Sequence, residues 1–126
     1  MTINKAEIEK FDTIAKRYWD LNGPMRMLHK MNHLRIDLVE EHVQLFGKRV
    51  LDVGTGGGLA AESFAERGAN VTGIDASEKM LRTAQLHSEK SKLNIDYRHM
   101  TAEDLASQLA GCFDLITCFE MLEHVP

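Results

Sequence analysis

Two carboxylates and a run of glycines hold the residues of this chain best suited to chemistry. Asp52 follows the apolar pair Val50-Leu51, and Asp75 ends the run Val71-Thr72-Gly73-Ile74. Between them lies Gly54-Thr55-Gly56-Gly57-Gly58. An apolar run, a carboxylate, a glycine cluster and then a helical pattern from Leu59 read as strand, tight turn and helix start. That order lets backbone approach a nucleotide-like ligand closely. A carboxylate can accept hydrogen bonds from an ammonium group or from ribose hydroxyls. A pyrophosphate suits the site less well. The dinucleotide fingerprint G-x-G-x-x-G would place its third glycine where this chain has Leu59, and Asp52 would face phosphates with like charge.

A ligand with an amine and a ribose but no pyrophosphate is S-adenosylmethionine. Asp52, Gly54 and Gly56 are then assigned to its methionine end and the adjoining backbone, and Asp75 to its ribose. The plainer alternative is that Asp52 caps the next helix and the turn binds nothing. The spacing of the two carboxylates, close to the ~20 residues of a βαβ unit, favours the ligand.

The elements that position these groups follow from periodicity. Ile8, Phe11, Tyr18 and Trp19 recur at helical spacing and predict an amphipathic helix from Ala6 to Trp19. Asp20-Leu21-Asn22-Gly23-Pro24 breaks it. A second helix is expected from about Leu28 to Leu45, with Leu34, Leu38 and Val43 among its apolar positions. Strands are then expected at Arg49 to Val53, Asn70 to Ile74, Asn94 to Arg98 and Phe113 to Cys118. Helices alternate with them at Leu59 to Arg67, Glu78 to Glu89 and Ala102 to Gln108, with Ser77 and Thr101 as N-caps. Strands separated by helices imply an α/β, Rossmann-like, doubly wound parallel sheet. Residues 1–47 are expected to form a helical segment over the cofactor site. Residues 48–126 are expected to form the N-terminal half of a domain, because a sheet ending after its fourth strand leaves that strand uncovered.

Composition is that of an ordinary globular domain: 126 residues, 44% hydrophobic and 27% charged. A net charge of −4 argues against nucleic acid as a partner. No apolar run approaches the ~20 residues of a membrane span, and no signal-peptide core precedes the first helix. Cys112 and Cys118 lack metal-site spacing and read as reduced, buried thiols. A cytoplasmic location is the expectation.

The motifs together resemble a known family. Val50 to Gly58, Gly73-Ile74-Asp75, Ala102-Glu103-Asp104 and Phe113-Asp114-Leu115-Ile116-Thr117-Cys118 look like the successive motifs of class I S-adenosylmethionine-dependent methyltransferases. A narrower resemblance is carried by Phe11-Asp12-x-x-Ala15-x-x-Tyr18-Trp19-Asp20, Leu28-His29-x-x-Asn32-x-x-Arg35 and Cys118-x-Glu120-Met121-Leu122-Glu123-His124-Val125-Pro126. Those stretches are similar to the ubiquinone-biosynthesis O-methyltransferases, which methylate phenolic hydroxyls on polyprenylated rings. His33 and Thr55 depart from the family's usual Pro and Cys.

The resemblance implies roles for single positions. Gly54 and Asp75 would touch the cofactor, Arg35 would pair with its carboxylate, Phe119 would lie beside it, and Ala102 with Glu103 would meet the adenine edge. Glu120, Glu123 and His124 would share one helix face and could hold Mg2+, with His124 as a general base for the phenol. They read equally well as a polar helix start. His29, His33, His42, His87 and His99 have no ligand spacing. Basic residues on the first helix allow peripheral contact with the inner membrane face. A biosynthetic complex or a homo-oligomer is also allowed. The rival readings are a methyltransferase with another small-molecule acceptor and a cofactor-binding fragment without activity. Asp75→Ala is expected to abolish cofactor binding with little loss of fold.

Overall fold

The structure, a computed structural model, describes residues 13, 16–109 and 111–119. After a helical stretch at 16–19, the elements are α1 (Arg26–His42), β1 (Arg49–Val53), α2 (Leu59–Glu66), β2 (Asn70–Asp75), α3 (Glu78–Lys90), β3 (Asp96–His99), α4 (Ala102–Leu109) and β4 (Leu115–Thr117). The strands form one parallel sheet in the order β3-β2-β1-β4. The expected alternation of strands and helices and the parallel pairing of a doubly wound sheet are present. β1 sits centrally, and every residue after Arg49 is buried, as both faces of a parallel strand require.

Strand alternation divides the core between the two faces. Val50 and Val71 join Ile36 of α1 and Ala60, Ala61 and Phe64 of α2 on one face. Leu51, Val53 and Ile74 meet Leu105 of α4 on the other. Val50, Phe64 and Ile74 are among the largest fully buried side chains, each worth roughly 1.5–3 kcal/mol of burial. β4 is tied to β1 at its start: the Arg49 amide donates to Asp114 Oδ2 at 2.9 Å, and its guanidinium reaches the same carboxylate at 3.1 and 3.3 Å. The guanidinium and amide hydrogen bonds from Arg49, with a smaller part from its charge, hold the Asp114 carboxyl down at about 2.

The caps behave as their chemistry dictates. Ser77 Oγ accepts from the Met80 amide at 3.3 Å and opens α3. Thr101 Oγ1 accepts from the Asp104 amide at 3.1 Å and opens α4. The second helix differs from expectation. It runs from Arg26 to His42, and the residues it buries are His29, Asn32 and Ile36. Leu34 and Leu38 face outward, 71% and 58% exposed. The inward face is polar because partners are supplied there: His29 Nε2 lies 2.8 Å from the Tyr18 carbonyl, and Asn32 Nδ2 donates to Ser63 Oγ at 2.9 Å. Buried polar groups with such partners cost little. Cys112 and Cys118 are free thiols as expected, but both are exposed rather than buried. Among the described residues no helix is long and apolar enough to cross a membrane.

Candidate functional site

The site forms where β1 and β2 end side by side. Asp52 pairs in register with Gly73 on β2 and Thr117 on β4. The chain then turns through Gly54, Gly56 and Gly58, with φ of +70°, +57° and +90°. An L side chain strains in that left-handed region, which is why the turn is built from glycine. The turn is fixed from β2. The Thr55 amide donates to the Ile74 carbonyl at 2.9 Å, and the Gly56 amide donates to Asp75 Oδ2 at 2.9 Å. Asp75 Oδ1 accepts from the Ser77 amide at 2.8 Å. One carboxylate therefore sets both the glycine turn and the start of α3. Each of its oxygens keeps a second lone pair for a hydroxyl donor.

Beside Asp75 opens a cleft of about 470 Å³, lined among others by Gly54, Gly56, Ile74, Met80, Met100 and Ala102. Apolar walls with one anchored carboxylate suit a flat heterocycle carrying a sugar. Gly54 is shared with a second, narrow gap of about 10 Å³ bordered by Asn32, Arg35, Asp52, Leu59 and Phe119. Arg35 lies over the Phe119 ring, 5.5 Å from its centroid, within cation–π reach. An anionic and a cationic side chain thus border the same gap.

Asp52 is 3% exposed. Burial pushes its carboxyl up to about 6, against the hydrogen bond from Thr117 and a smaller opposing effect of the Thr55 hydroxyl. The Thr117 hydroxyl donates to Asp52 Oδ1 at 2.7 Å. A carboxylate held this way gains from any ammonium brought near it.

Most of the expected site residues converge. Asp52, Gly54, Gly56, Asp75 and Ala102 border the cleft or the gap, as do Arg35 and Phe119. Glu103 is not on the lining and lies exposed in the first turn of α4. Glu120, Glu123 and His124 lie outside the described residues. Among the described residues no group of His, Cys, Asp and Glu is placed to hold a metal ion. Sequence reasoning missed Thr117, Asn32 and the cleft-wall residues Met80 and Met100. Only strand register, which Asp52 and Thr117 share, could have singled out the first.

A family described as a methyltransferase domain matches residues 50–126. The chain belongs to the methyltransferase-domain family. Its α/β, Rossmann-like sheet is also that of magnesium protoporphyrin IX methyltransferase from Synechocystis PCC 6803, crystallised with bound SAM. That structure superposes with a TM-score of 0.74 over 99% of this chain and 66% of its own, at 23% identity. At that identity the likeness shows the fold alone. Two curated relatives are named ubiquinone biosynthesis O-methyltransferase. The one from Chromobacterium violaceum is 52% identical over 98% of this chain and 53% of its own length. The one from Dechloromonas aromatica is 52% identical over 100% and 54%. This methyltransferase-domain chain spans about half the length of the curated relatives it matches.

Proposed function

We propose that the chain is the cofactor-binding part of an S-adenosylmethionine-dependent O-methyltransferase acting on polyprenylated phenols or catechols in ubiquinone biosynthesis. The observation that carries the cofactor is the pair of strand-end carboxylates around one glycine turn. Asp75 is anchored by the Gly56 and Ser77 amides, and Asp52 is buried against Thr117. The substrate class is supported by the 52% identity to the relatives named above.

The residues fit that cofactor by their donors and acceptors. Asp75 would accept from the ribose hydroxyls, and Ile74, Met80 and Met100 would enclose the adenine. Asp52 would receive the ammonium and Arg35 the carboxylate. The narrow gap between them would admit a methionine chain only with Arg35 and Phe119 moved apart. Bound S-adenosylmethionine supplies an electrophilic methyl on a sulfonium sulfur. The chain's own part is to fix that methyl's position and exclude water around it, the larger share of catalysis for two held reactants.

The finer assignments belong to the same reading. Glu120, Glu123 and His124 are assigned to Mg2+ and to removal of the phenolic proton. Residues 1–47 are assigned as the cover over the cofactor site, and 48–126 as the first half of the methyltransferase domain. Peripheral contact with the inner membrane face from the cytoplasm would suit a prenylated substrate. A homo-oligomer or a biosynthetic complex is assigned as the working assembly.

Calorimetric titration with S-adenosylhomocysteine tests the cofactor. Micromolar binding is expected, and a folded chain that binds none would sink the reading. The acceptor is tested by turnover of prenylated catechols against unprenylated ones in a protein of the relatives' full length. Equal use of both would remove the prenyl chain from the assignment.

A further inference from the structure

A second set of contacts meets the glycine turn at Gly57, which is not on the lining of the cleft or the gap. The Trp19 indole lies flat on the His87 imidazole, with centroids 3.6 Å apart and planes 3° apart. Its Nε1–H donates to the Gly57 carbonyl at 3.2 Å. His87 Nδ1 is 2.5 Å from Glu62 Oε2, and the Glu62 side chain, in the first turn of α2, is 3% exposed. The Tyr18 ring fills the space above Gly57, where an added Cβ would lie 2.4 Å from Tyr18 Cε1. Gly57 has no positive φ, so it is this close approach, and not backbone strain, that calls for glycine there. The Tyr18 carbonyl is held in turn by His29 of α1.

The segment at 16–19 therefore grips the glycine turn at the Gly57 carbonyl. The neighbouring Gly56 amide is the group that binds Asp75. We infer that Tyr18 and Trp19 form a strap on the cofactor turn, that Trp19 with His87 and Glu62 positions the Gly56–Gly57 backbone, and that strap docking and cofactor binding are linked. The inference rests on the S-adenosylmethionine reading and adds residues that are not on the lining of the cleft or the gap. The physical reason is reciprocity. If a docked strap holds the turn in its binding geometry, then the cofactor must favour the docked strap by the same factor. Without Trp19 the Gly57 carbonyl loses its side-chain donor, and the turn gains freedom that binding must remove again.

Trp19 is the only tryptophan of the chain, so its fluorescence reports the strap without a label. The chain is titrated with S-adenosylhomocysteine while heat and acrylamide quenching of Trp19 are followed in parallel. Saturation is expected to lower the quenching constant about twofold. Trp19→Phe keeps an aromatic ring but loses the donor. It is expected to weaken S-adenosylhomocysteine about fivefold, the scale of one net hydrogen bond, with unchanged far-ultraviolet circular dichroism. Gly57→Ala keeps the tryptophan as a reporter and displaces Tyr18, which loosens the strap. It should weaken the ligand similarly and raise Trp19 quenching before any ligand is added. If Trp19→Phe loses its fold, the Gly57→Ala result decides. Wild-type affinity in the folded variants, or wild-type binding without a change at Trp19, overturns the strap while leaving the cofactor assigned. A wild-type chain that binds no S-adenosylhomocysteine overturns the cofactor reading and the strap with it.

Discussion

Thr117 of β4 donates its hydroxyl to Asp52 Oδ1 of β1 at 2.7 Å, and the two residues are partners in the parallel register. The edge strand thus supplies the hydrogen bond that keeps a buried carboxylate at the centre of the sheet. Thr117→Val preserves the side chain's shape and removes that donor. It should destabilise the chain by about 1–3 kcal/mol in urea unfolding, because the acceptor stays buried. It should also push the Asp52 carboxyl further up, since the Thr117 bond is the main influence holding it down. An unchanged urea midpoint would mean that water replaces the hydroxyl.

Asp52 also sets a pH dependence. Burial holds its carboxyl at about 6, above the ordinary 3.8, so the fold favours the neutral form. Its contribution to stability is therefore greatest below 3.8, falls as pH rises to about 6, and is constant above. The loss is on the order of 3 kcal/mol, readable from urea midpoints across that window in Asp52→Asn against wild type. An ammonium beside Asp52 reverses the preference. S-adenosylhomocysteine binding should then strengthen as pH rises through about 6 and release a proton there. Calorimetry in two buffers of different ionisation heat measures that proton. Equal heats at that pH would take the ammonium away from Asp52.

Asp75 is more than a ligand contact. Because it accepts from the Gly56 and Ser77 amides, Asp75→Ala should lose cofactor affinity and also cost about 1–3 kcal/mol of stability. The sequence expectation of little loss of fold is revised on this geometry. Asp75→Asn keeps one acceptor oxygen and should lie between. Thermal unfolding and calorimetry on both variants separate the two effects.

Gly58→Ala tests the turn itself. Its φ is +90°, and an added Cβ would lie 2.4 Å from Tyr97 Oη and 3.2 Å from Ala84 Cβ. Strain and collision together should destabilise by about 2 kcal/mol or more in urea unfolding. A neutral substitution would show that Tyr97 swings aside without cost.

The sequence by itself determined the alternation of strands and helices, both N-caps and the position of the glycine turn. Apolar periodicity, turn chemistry and hydroxyl caps are local, so residues a few positions apart suffice to specify them. It also placed Asp52 and Asp75 at strand ends. Tertiary structure decided what those carboxylates meet. That Thr117 would reach Asp52 depends on register across a sheet. That Trp19 would lie on His87 depends on how the segment at 16–19 packs against the glycine turn and α3. The second helix shows the limit from the other side. Leu34 and Leu38 look like core positions by hydropathy, yet His29 and Asn32 face inward because the Tyr18 carbonyl and Ser63 wait there to bond them. A hydrogen-bond partner distant in sequence outweighs local hydropathy, and only the folded chain brings that partner into reach.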